Sequence, residues 1–187
     1  NSACDVAVET SRVSKSTSIS WRRGYRIIPK FIMGIPSDVF ASKMSFLPIK
    51  IRNLLAGLLA RISNGSNEIY GLQKPKHKFG ETHPTINSEL LYKIRHGKIK
   101  PKVEIDRFNG KYVFFKDNTK EKFDVIVACT GYLLSHPFFD KDFINYKEGS
   151  VPLYLKMFHP VYHDLFFIGM FQPLGCIWPG SEQQSKL

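Results

Sequence analysis

The start of the chain changes from a helical to an alternating pattern of apolar residues. One apolar face predicts a helix of about twelve residues, and its members are Val6, Ala7, Val8 and Val13. From Ser16 to Trp21, polar residues alternate with Ile19 and Trp21, as in a half-buried strand. A helix that leads directly into a strand is half of a βαβ unit, so this pattern predicts an α/β fold.

Prolines interrupt the pattern between residues 24 and 80, and they stand at Pro29, Pro36, Pro48 and Pro75. One amphipathic helix is predicted among them, from roughly Ile49 to Ser63. A second, short helix is predicted from Asn87 to His96, because Gly97 follows it and glycine commonly ends helices.

Strand patterns dominate the next part of the chain. Three strands are predicted, at Ile99 to Ile105, Lys111 to Phe115, and Phe123 to Ala128. Asn109-Gly110 predicts a hairpin turn, and Asp117-Asn118 predicts another turn. A further strand is predicted from Leu165 to Gly169, ahead of a turn rich in proline and glycine that reaches Pro179.

The run that ends at Cys129-Thr130-Gly131-Tyr132 is the most informative one. Residues 125–128 are all apolar and stop abruptly at Thr130 and Gly131. Such a run is typical of a central parallel strand that brings a small turn to a ligand crevice. Small residues there let a cofactor or a crossing backbone come close. From the residues alone, a strand end with a tight turn and no ligand remains the alternative.

Composition limits the class of protein. The 187 residues are 43% hydrophobic and 13% aromatic, which predicts a globular fold. Cys4, Cys129 and Cys176 lie far apart, which argues against a disulfide framework or a zinc site and fits a reducing compartment. The six histidines lack a metal-binding spacing, so no metal is predicted. No apolar run is long enough to cross a bilayer.

Positive charge is concentrated in the first part of the chain. Residues 1–102 hold 18 Lys and Arg against 6 Asp and Glu, whereas residues 103–187 hold 9 against 10. A basic half suggests nucleic acid, but no nucleic-acid-binding motif accompanies it and the basic residues are scattered. A basic surface that attracts an anionic dinucleotide explains the charge equally well, and we favour that interpretation.

The segment from Asp124 to Tyr132 resembles one in the second half of the flavin-containing monooxygenases, where alanine usually stands in place of Cys129. Five further segments follow the family's order: residues 1–9 (NSACDVAVE), Arg22-Arg23-Gly24, Pro29-Lys30, residues 83–87 (HPTIN) and residues 167–179. The resemblance covers nearly the full length. It implies an α/β flavoprotein fold with two dinucleotide-binding domains, of which residues 1–131 are the NADPH domain without its first strand and first glycines. Residues 132–187 would be the C-terminal segment of the FAD domain.

The resemblance implies a cofactor site at the chain start. Asn1, Ser2 and Ala3 match the last three positions of the family's second Gly-x-Gly-Asn-Ser-Gly/Ala turn, whose glycines are expected upstream. A dinucleotide's pyrophosphate rests on the helix that follows such a turn. An ordinary capped surface helix is the alternative from the residues alone.

The end of the strand predicted from Ser16 to Trp21 supports a cofactor site at the chain start. Ser20 is followed by Trp21, Arg22 and Arg23, with no acidic residue nearby. An acid at this place reads the 2′-hydroxyl of NAD, whereas arginine accommodates the 2′-phosphate of NADP. We therefore expect NADPH, bound by one of the two arginines, Arg22. A solvated basic turn is the alternative.

Two more cofactor contacts are implied near the C-terminus. Thr130 and Gly131 would link the NADPH domain back to the FAD domain, close to both cofactors. The run that begins at Phe167 resembles the segment that packs against the flavin. There Gly169 would let the backbone approach, Gln172 would hydrogen-bond at the isoalloxazine edge, and Pro173 would follow in the same segment. A buried strand followed by a proline turn is the alternative.

The chemistry implied by the resemblance belongs to an intact enzyme. NADPH passes hydride to FAD, the reduced flavin takes up O2, and a hydroperoxyflavin oxygenates a soft nitrogen or sulfur centre of a small molecule. The cofactors perform the reaction and the protein positions them, so no catalytic residue is named. This piece alone is expected to be inactive, and a homo-oligomer is left open.

Three other interpretations stay open. A Baeyer–Villiger monooxygenase uses the same cofactors on ketones, and its fingerprint normally lies upstream. A nucleic-acid-binding module would show a contiguous cationic face. A non-catalytic remnant would bind neither cofactor. The expected location is cytoplasmic, and Ser185-Lys186-Leu187 matches a peroxisomal address, which we interpret as coincidence.

Overall fold

The computed structural model describes residues 2–140, 143, 151–173 and 176–187. The chain divides into two compact units, Asn1–Cys129 and Thr130–Leu187. The helices are α1 (Ser2–Val13), α2 (Ser37–Lys43), α3 (Ile49–Asn64), α4 (Leu90–Arg95) and α5 (Trp178–Gln184). The strands are β1 (Thr17–Ser20), β2 (Ile27–Ile28), β3 (Phe31–Ile32), β4 (Ile35–Pro36), β5 (Thr85–Ile86), β6 (Ile99–Lys102), β7 (Ile105–Asn109), β8 (Tyr112–Phe115) and β9 (Lys120–Lys122).

The core of the first unit lies between two helices and a parallel strand pair. β1 pairs with β6 in parallel register, from Thr17 opposite Ile99 to Ser20 opposite Lys102. Helices α1 and α4 pack against each other and against these strands. The members of this core include Cys4, Ala7, Val8, Ile19, Trp21, Leu90, Leu91, Ile94 and Ile99. The predicted helix and strand at the chain start are confirmed.

Val13 was wrongly assigned to the apolar face of α1. It is the last residue of the helix and is 89% exposed. The helix face that meets β1 is completed instead by Cys4, which is 4% exposed. Since α1 ends where the chain turns into β1, its final residue points away from the strand pair that the earlier turns cover.

Helix α4 begins three residues later than predicted and ends one residue earlier, at Arg95, and the Asn87 side chain binds the backbone at its start. The Asn87 Oδ1 atom accepts hydrogen bonds from the backbone N–H groups of Glu89 (2.9 Å) and Leu90 (2.7 Å). A polar side chain in this position satisfies donors that the first helical turn leaves free. At the other end, Gly97 has a φ of +68°, as a glycine that ends a helix does.

The proline-rich segment forms small strand pairs around α3. β2 pairs with β5 in parallel, and β3 pairs with β4 in an antiparallel hairpin. Helix α3 follows Pro48 and ends at Asn64, and the next residue, Gly65, has a φ of +76°. It therefore extends one residue beyond its prediction. In the part of the chain that the structure describes, no helix combines the length and the apolar character that crossing a bilayer requires.

An antiparallel meander follows the parallel pair. β7 pairs with β8 and β8 with β9, through turns at the predicted Asn109-Gly110 and Asp117-Asn118 positions. Asn118 takes a φ of +63°, and the Asp117 carboxylate accepts hydrogen bonds from Thr119. The predicted strand Ile99 to Ile105 was too long, since β6 ends at Lys102 and Ile105 opens the hairpin.

The predicted central strand from Phe123 to Ala128 is wrong. The segment forms no strand, and Val125, Ile126 and Val127 are 77%, 52% and 58% exposed. A strand buried on both faces needs neighbouring strands and covering helices. Among the described residues no strand pairs with this run, so its apolar side chains stay uncovered.

The second unit is held by aromatic and aliphatic contacts. Val151 and Phe167 are buried against a group of partly buried residues: Phe139, Phe143, Leu153, Leu165 and Met170. The predicted strand from Leu165 to Gly169 is wrong, because among the described residues this run forms an isolated bridge, between Phe166 and Phe158, and no ladder. The turn predicted to reach Pro179 gives way to α5, which begins at Trp178.

Candidate functional site

The start of α1 and the end of β1 lie at the same edge of the first unit. Ser14, Lys15 and Ser16 connect the two elements, and the Ser14 and Thr17 hydroxyls hydrogen-bond at 2.7 Å. After this tight reversal β1 runs back along the packed helix. A 12-residue helix is about 18 Å long and a four-residue strand about 13 Å. Ser2 and Ala3 therefore lie at the edge where β1 ends.

The residues at the end of β1 and just after it differ in whether other residues of the protein engage them. The Ser20 hydroxyl donates a 2.7 Å hydrogen bond to the Val103 carbonyl, so it fixes the strand end. Trp21 is buried and donates its backbone N–H to the Lys102 carbonyl at 3.1 Å. Arg23 lies over the Tyr25 ring, with 5.3 Å from Cζ to the ring centroid. Arg22 is exposed and forms no ion pair with any residue that the structure describes.

The parallel pairing brings a further cation to this edge. Lys102 ends β6 opposite Ser20, and its Nζ lies 2.6 Å from the Glu121 carboxylate. This ion pair neutralises the acid of the neighbouring meander. The edge thus presents the positive end of the α1 dipole and the charge of Arg22, together with the Asp5 carboxylate in the first turn of α1. A helix start beside an exposed arginine favours an anionic ligand.

Helix α1 is anchored beneath this edge by a buried thiol. Burial raises the pKa of Cys4 from 9.0 to about 11, and the neighbouring Asp5 and Cys129 also favour the neutral form. Cys4 therefore acts as a small apolar core residue at neutral pH.

Thr130 and Gly131 begin the second unit and are both exposed. Gly131 has a φ of +98°, which L-residues with a side chain rarely adopt. The backbone at this position therefore favours glycine, but residues 129–132 form no turn in the structure, so the predicted tight turn is wrong. The preceding Cys129 is partly buried.

The residues assigned to the flavin contact lie beside α5. Gly169 has a φ of +78°, and its N–H donates a 2.9 Å hydrogen bond to Gln184 Oε1. An added Cβ there would lie 3.2 Å from the Ser181 hydroxyl. Gln172 is exposed and Pro173 is partly buried. The backbone of Gly169 thus approaches a helix within its own unit.

The predicted site residues separate into two groups. Ser2, Ala3, Ser20, Arg22 and Arg23 share one edge of the first unit. A second group, in the other unit, is made of Thr130, Gly131, Gly169, Gln172 and Pro173. Asn1 lies outside the described residues.

The sequence reasoning missed two residues that organise these groups. Asn87 caps α4 and also donates a 2.9 Å hydrogen bond from Nδ2 to the Asp5 carboxylate on α1. Gln184 holds the backbone of Gly169. An Asn shortly before the apolar Leu90-Leu91 run is a recognisable cap signal, whereas no local signal announces Gln184.

Comparison with known proteins gives one consistent family. The model of the flavin-binding monooxygenase-like family matches residues 1–187. Flavin-containing monooxygenase 5 of Homo sapiens is 35% identical over 195 residues, which cover 100% of this chain and 36% of that protein. Dimethylaniline monooxygenase (N-oxide-forming) 2 of Oryctolagus cuniculus is 32% identical over 198 residues, with the same two coverages.

The chain thus spans about a third of the length of these relatives, 36% in each case. The match to the family model is complete along the chain and agrees with the motifs from Asn1 to Pro179. The protein belongs to the flavin-binding monooxygenase-like family.

Proposed function

We propose that the protein is part of an FAD- and NADPH-dependent monooxygenase that oxygenates soft nitrogen or sulfur centres of small molecules. Residues 1–131 would form most of the NADPH domain, and residues 132–187 would return to the FAD domain. Family membership supports the cofactor class, and a relative named as N-oxide-forming supports a nitrogen centre as the target.

The observation that carries the proposal is the free arginine beside the start of α1. Arg22 has no ion pair among the described residues, and Arg23 is occupied by the Tyr25 ring. Two acids lie near this edge: Glu121 is bound to Lys102, and Asp5, in the first turn of α1, accepts a hydrogen bond from Asn87 Nδ2. Guanidinium geometry matches phosphate, so Arg22 would be the partner of a 2′-phosphate.

The chain's own residues would bind and orient the cofactors. The first backbone N–H groups of α1, at Ser2 and Ala3, would hold the pyrophosphate, and Arg22 would hold the 2′-phosphate. Ser20 would keep the strand end in place through Val103. Bound FAD and NADPH supply the redox chemistry, and O2 and a nucleophilic small molecule are the substrates.

The segment around Gly169 would serve the flavin through its backbone. Its positive φ and its bond to Gln184 give the turn one conformation. Gln172 is exposed beyond that turn, so its amide is available to a ring edge. Thr130 and Gly131 would carry the chain from one cofactor domain to the other.

The test uses the intact protein loaded with FAD. We expect O2-dependent oxidation of NADPH that is coupled to N-oxide formation from N,N-dimethylaniline. Chromatography of the products measures the N-oxide. Ester formation from a ketone without N-oxide would make the protein a Baeyer–Villiger monooxygenase instead. A protein that binds neither FAD nor NADPH would overturn the proposal.

A further inference from the structure

A large cleft lies in the segment between β1 and α4, and the residues of the edge described above do not line it. It has a volume of about 1020 Å³. One wall is α3, and the facing wall is the stretch from Ser66 to Glu81. A cleft of this size is in the range that accommodates a small organic ligand.

Hydrogen bonds across the base of the cleft fix its shape. Asn64 Nδ2 donates to the Ile27 carbonyl at 2.9 Å, and Asn67 Nδ2 donates to the Tyr25 carbonyl at 2.9 Å. The Arg26 guanidinium donates to the His77 carbonyl through Nη2 at 2.8 Å. These bonds join both walls to residues 25–27 at the base, so the cleft is preformed.

The charges around the cleft are mainly positive. Its lining includes five basic side chains, Arg26, Lys50, Arg61, Lys74 and Lys78, and two acidic ones, Glu68 and Glu81. None of the five basic side chains forms an ion pair with the described residues.

The two acids are engaged locally. Glu81 accepts a 2.7 Å hydrogen bond from the Lys78 backbone N–H. A hydrogen bond from its own backbone lowers the pKa of Glu68, with smaller contributions from Ser66, Lys74 and Arg61. The excess of positive charge is therefore available to an anionic ligand.

The cleft also has an apolar side. Leu54 and Leu58 project from α3 and are 72% and 52% exposed, and Phe79 lies on the facing wall. Gly57 lies where Phe79 packs against α3, since a Cβ there would be in ordinary van der Waals contact with the Phe79 Cβ, at 3.8 Å. Gly80 lets the facing wall approach α3, because a Cβ there would come within 2.4 Å of Asn53 Nδ2.

We propose that this cleft binds an elongated anionic amphiphile, a free medium-chain carboxylate. Its chain would lie along α3 over the exposed Leu54 and Leu58, beside Phe79, and its carboxylate would face Lys74 and Lys78. A concave preformed cleft suits a single molecule, whereas the flat surface of a bilayer cannot enter it. The inference does not depend on the proposed oxygenase activity.

The experiment is calorimetric titration of the full chain with dodecanoate below its micelle concentration. Dodecyltrimethylammonium, of the same chain length and opposite charge, is the second probe. We expect saturable dodecanoate binding and at least tenfold weaker binding of the cation. Equal binding of the two probes would overturn the proposal.

Two variants locate the site. Lys74→Gln with Lys78→Gln should weaken dodecanoate binding by about fivefold to tenfold. The matched pair Lys98→Gln with Lys111→Gln removes two exposed lysines outside the cleft and should leave binding unchanged. Equal losses in the two pairs would show non-specific charge attraction and would refute the site.

A filled cleft provides an independent check. Gly57→Leu places an isobutyl group against Phe79 and removes a glycine that weakens α3. We expect dodecanoate binding to fall by more than tenfold without loss of the folded state, seen by circular dichroism. Unchanged dodecanoate binding by this variant would overturn the proposal. The proposal would also be overturned if the unchanged protein bound vesicles of phosphatidylcholine and phosphatidylserine but did not bind monomeric dodecanoate.

Discussion

Replacement of Asn87 by alanine should destabilise the first unit more than any surface change near it. The Asn87 side chain is 5% exposed and makes three hydrogen bonds, to Glu89, Leu90 and Asp5. Loss of the cap costs about 1 kcal/mol. Loss of the bond to the Asp5 carboxylate costs about 1.5 kcal/mol, the lower end for charged partners, because Asp5 is exposed.

The free energy of unfolding should therefore fall by about 2.5 kcal/mol. The assay is urea unfolding of the 187-residue chain followed by tryptophan fluorescence. Trp21 is 6% exposed and Trp178 is 75% exposed, so the signal change reports mainly the first unit. With a slope of about 1.5–2 kcal/mol/M, the midpoint should move down by roughly 1–2 M.

Ser88→Ala is the matched control. Ser88 Oγ accepts a hydrogen bond from the Lys30 N–H in an exposed place where water replaces it, so we expect a loss below about 0.5 kcal/mol. A midpoint for Asn87→Ala that equals the Ser88→Ala midpoint would refute the reasoning. The Asn87 and Asp5 alanine variants should also be non-additive, since they share one hydrogen bond.

Two further predictions test local packing and burial. Gly24→Ala should destabilise the first unit strongly, because a Cβ there would clash with the Gln73 carbonyl oxygen. Gly57→Ala should instead stabilise α3 by up to about 1 kcal/mol. Thermal unfolding compares the two variants, and equal melting temperatures would contradict the packing. Iodoacetamide at pH 8 should label the exposed Cys176 well before the buried Cys4, whose raised pKa keeps its thiol protonated; mass spectrometry that finds Cys4 labelled first would contradict its burial.

Local patterns predicted the elements that are stabilised locally. The apolar face of α1, the alternation in β1, and the turns at Asn109-Gly110 and Asp117-Asn118 each contain their own signal. Helix α3 was also predicted within one residue, since Pro48 and Gly65 bound it. These elements need only their own residues and near neighbours to form.

The long-range elements were not predictable in the same way. Residues 125–128 have a strand composition, but a strand is completed by partners, and the described residues provide none. The same holds for the run from Leu165 to Gly169, which packs through side chains instead of a ladder. The site residues at α1 and β1 could be grouped because the helix–strand order alone brings them to one edge.

The most direct test of the account compares NADPH and NADH binding to Arg22→Gln in the intact protein. Loss of a charge-assisted contact of about 1.5–3 kcal/mol should raise the Kd for NADPH by roughly 10- to 150-fold and leave the Kd for NADH within about twofold. Lys15→Gln, at the opposite end of β1, is the control and should change neither Kd. Equal losses for the two cofactors in Arg22→Gln, or no loss for NADPH, would contradict the assignment of this edge to the 2′-phosphate.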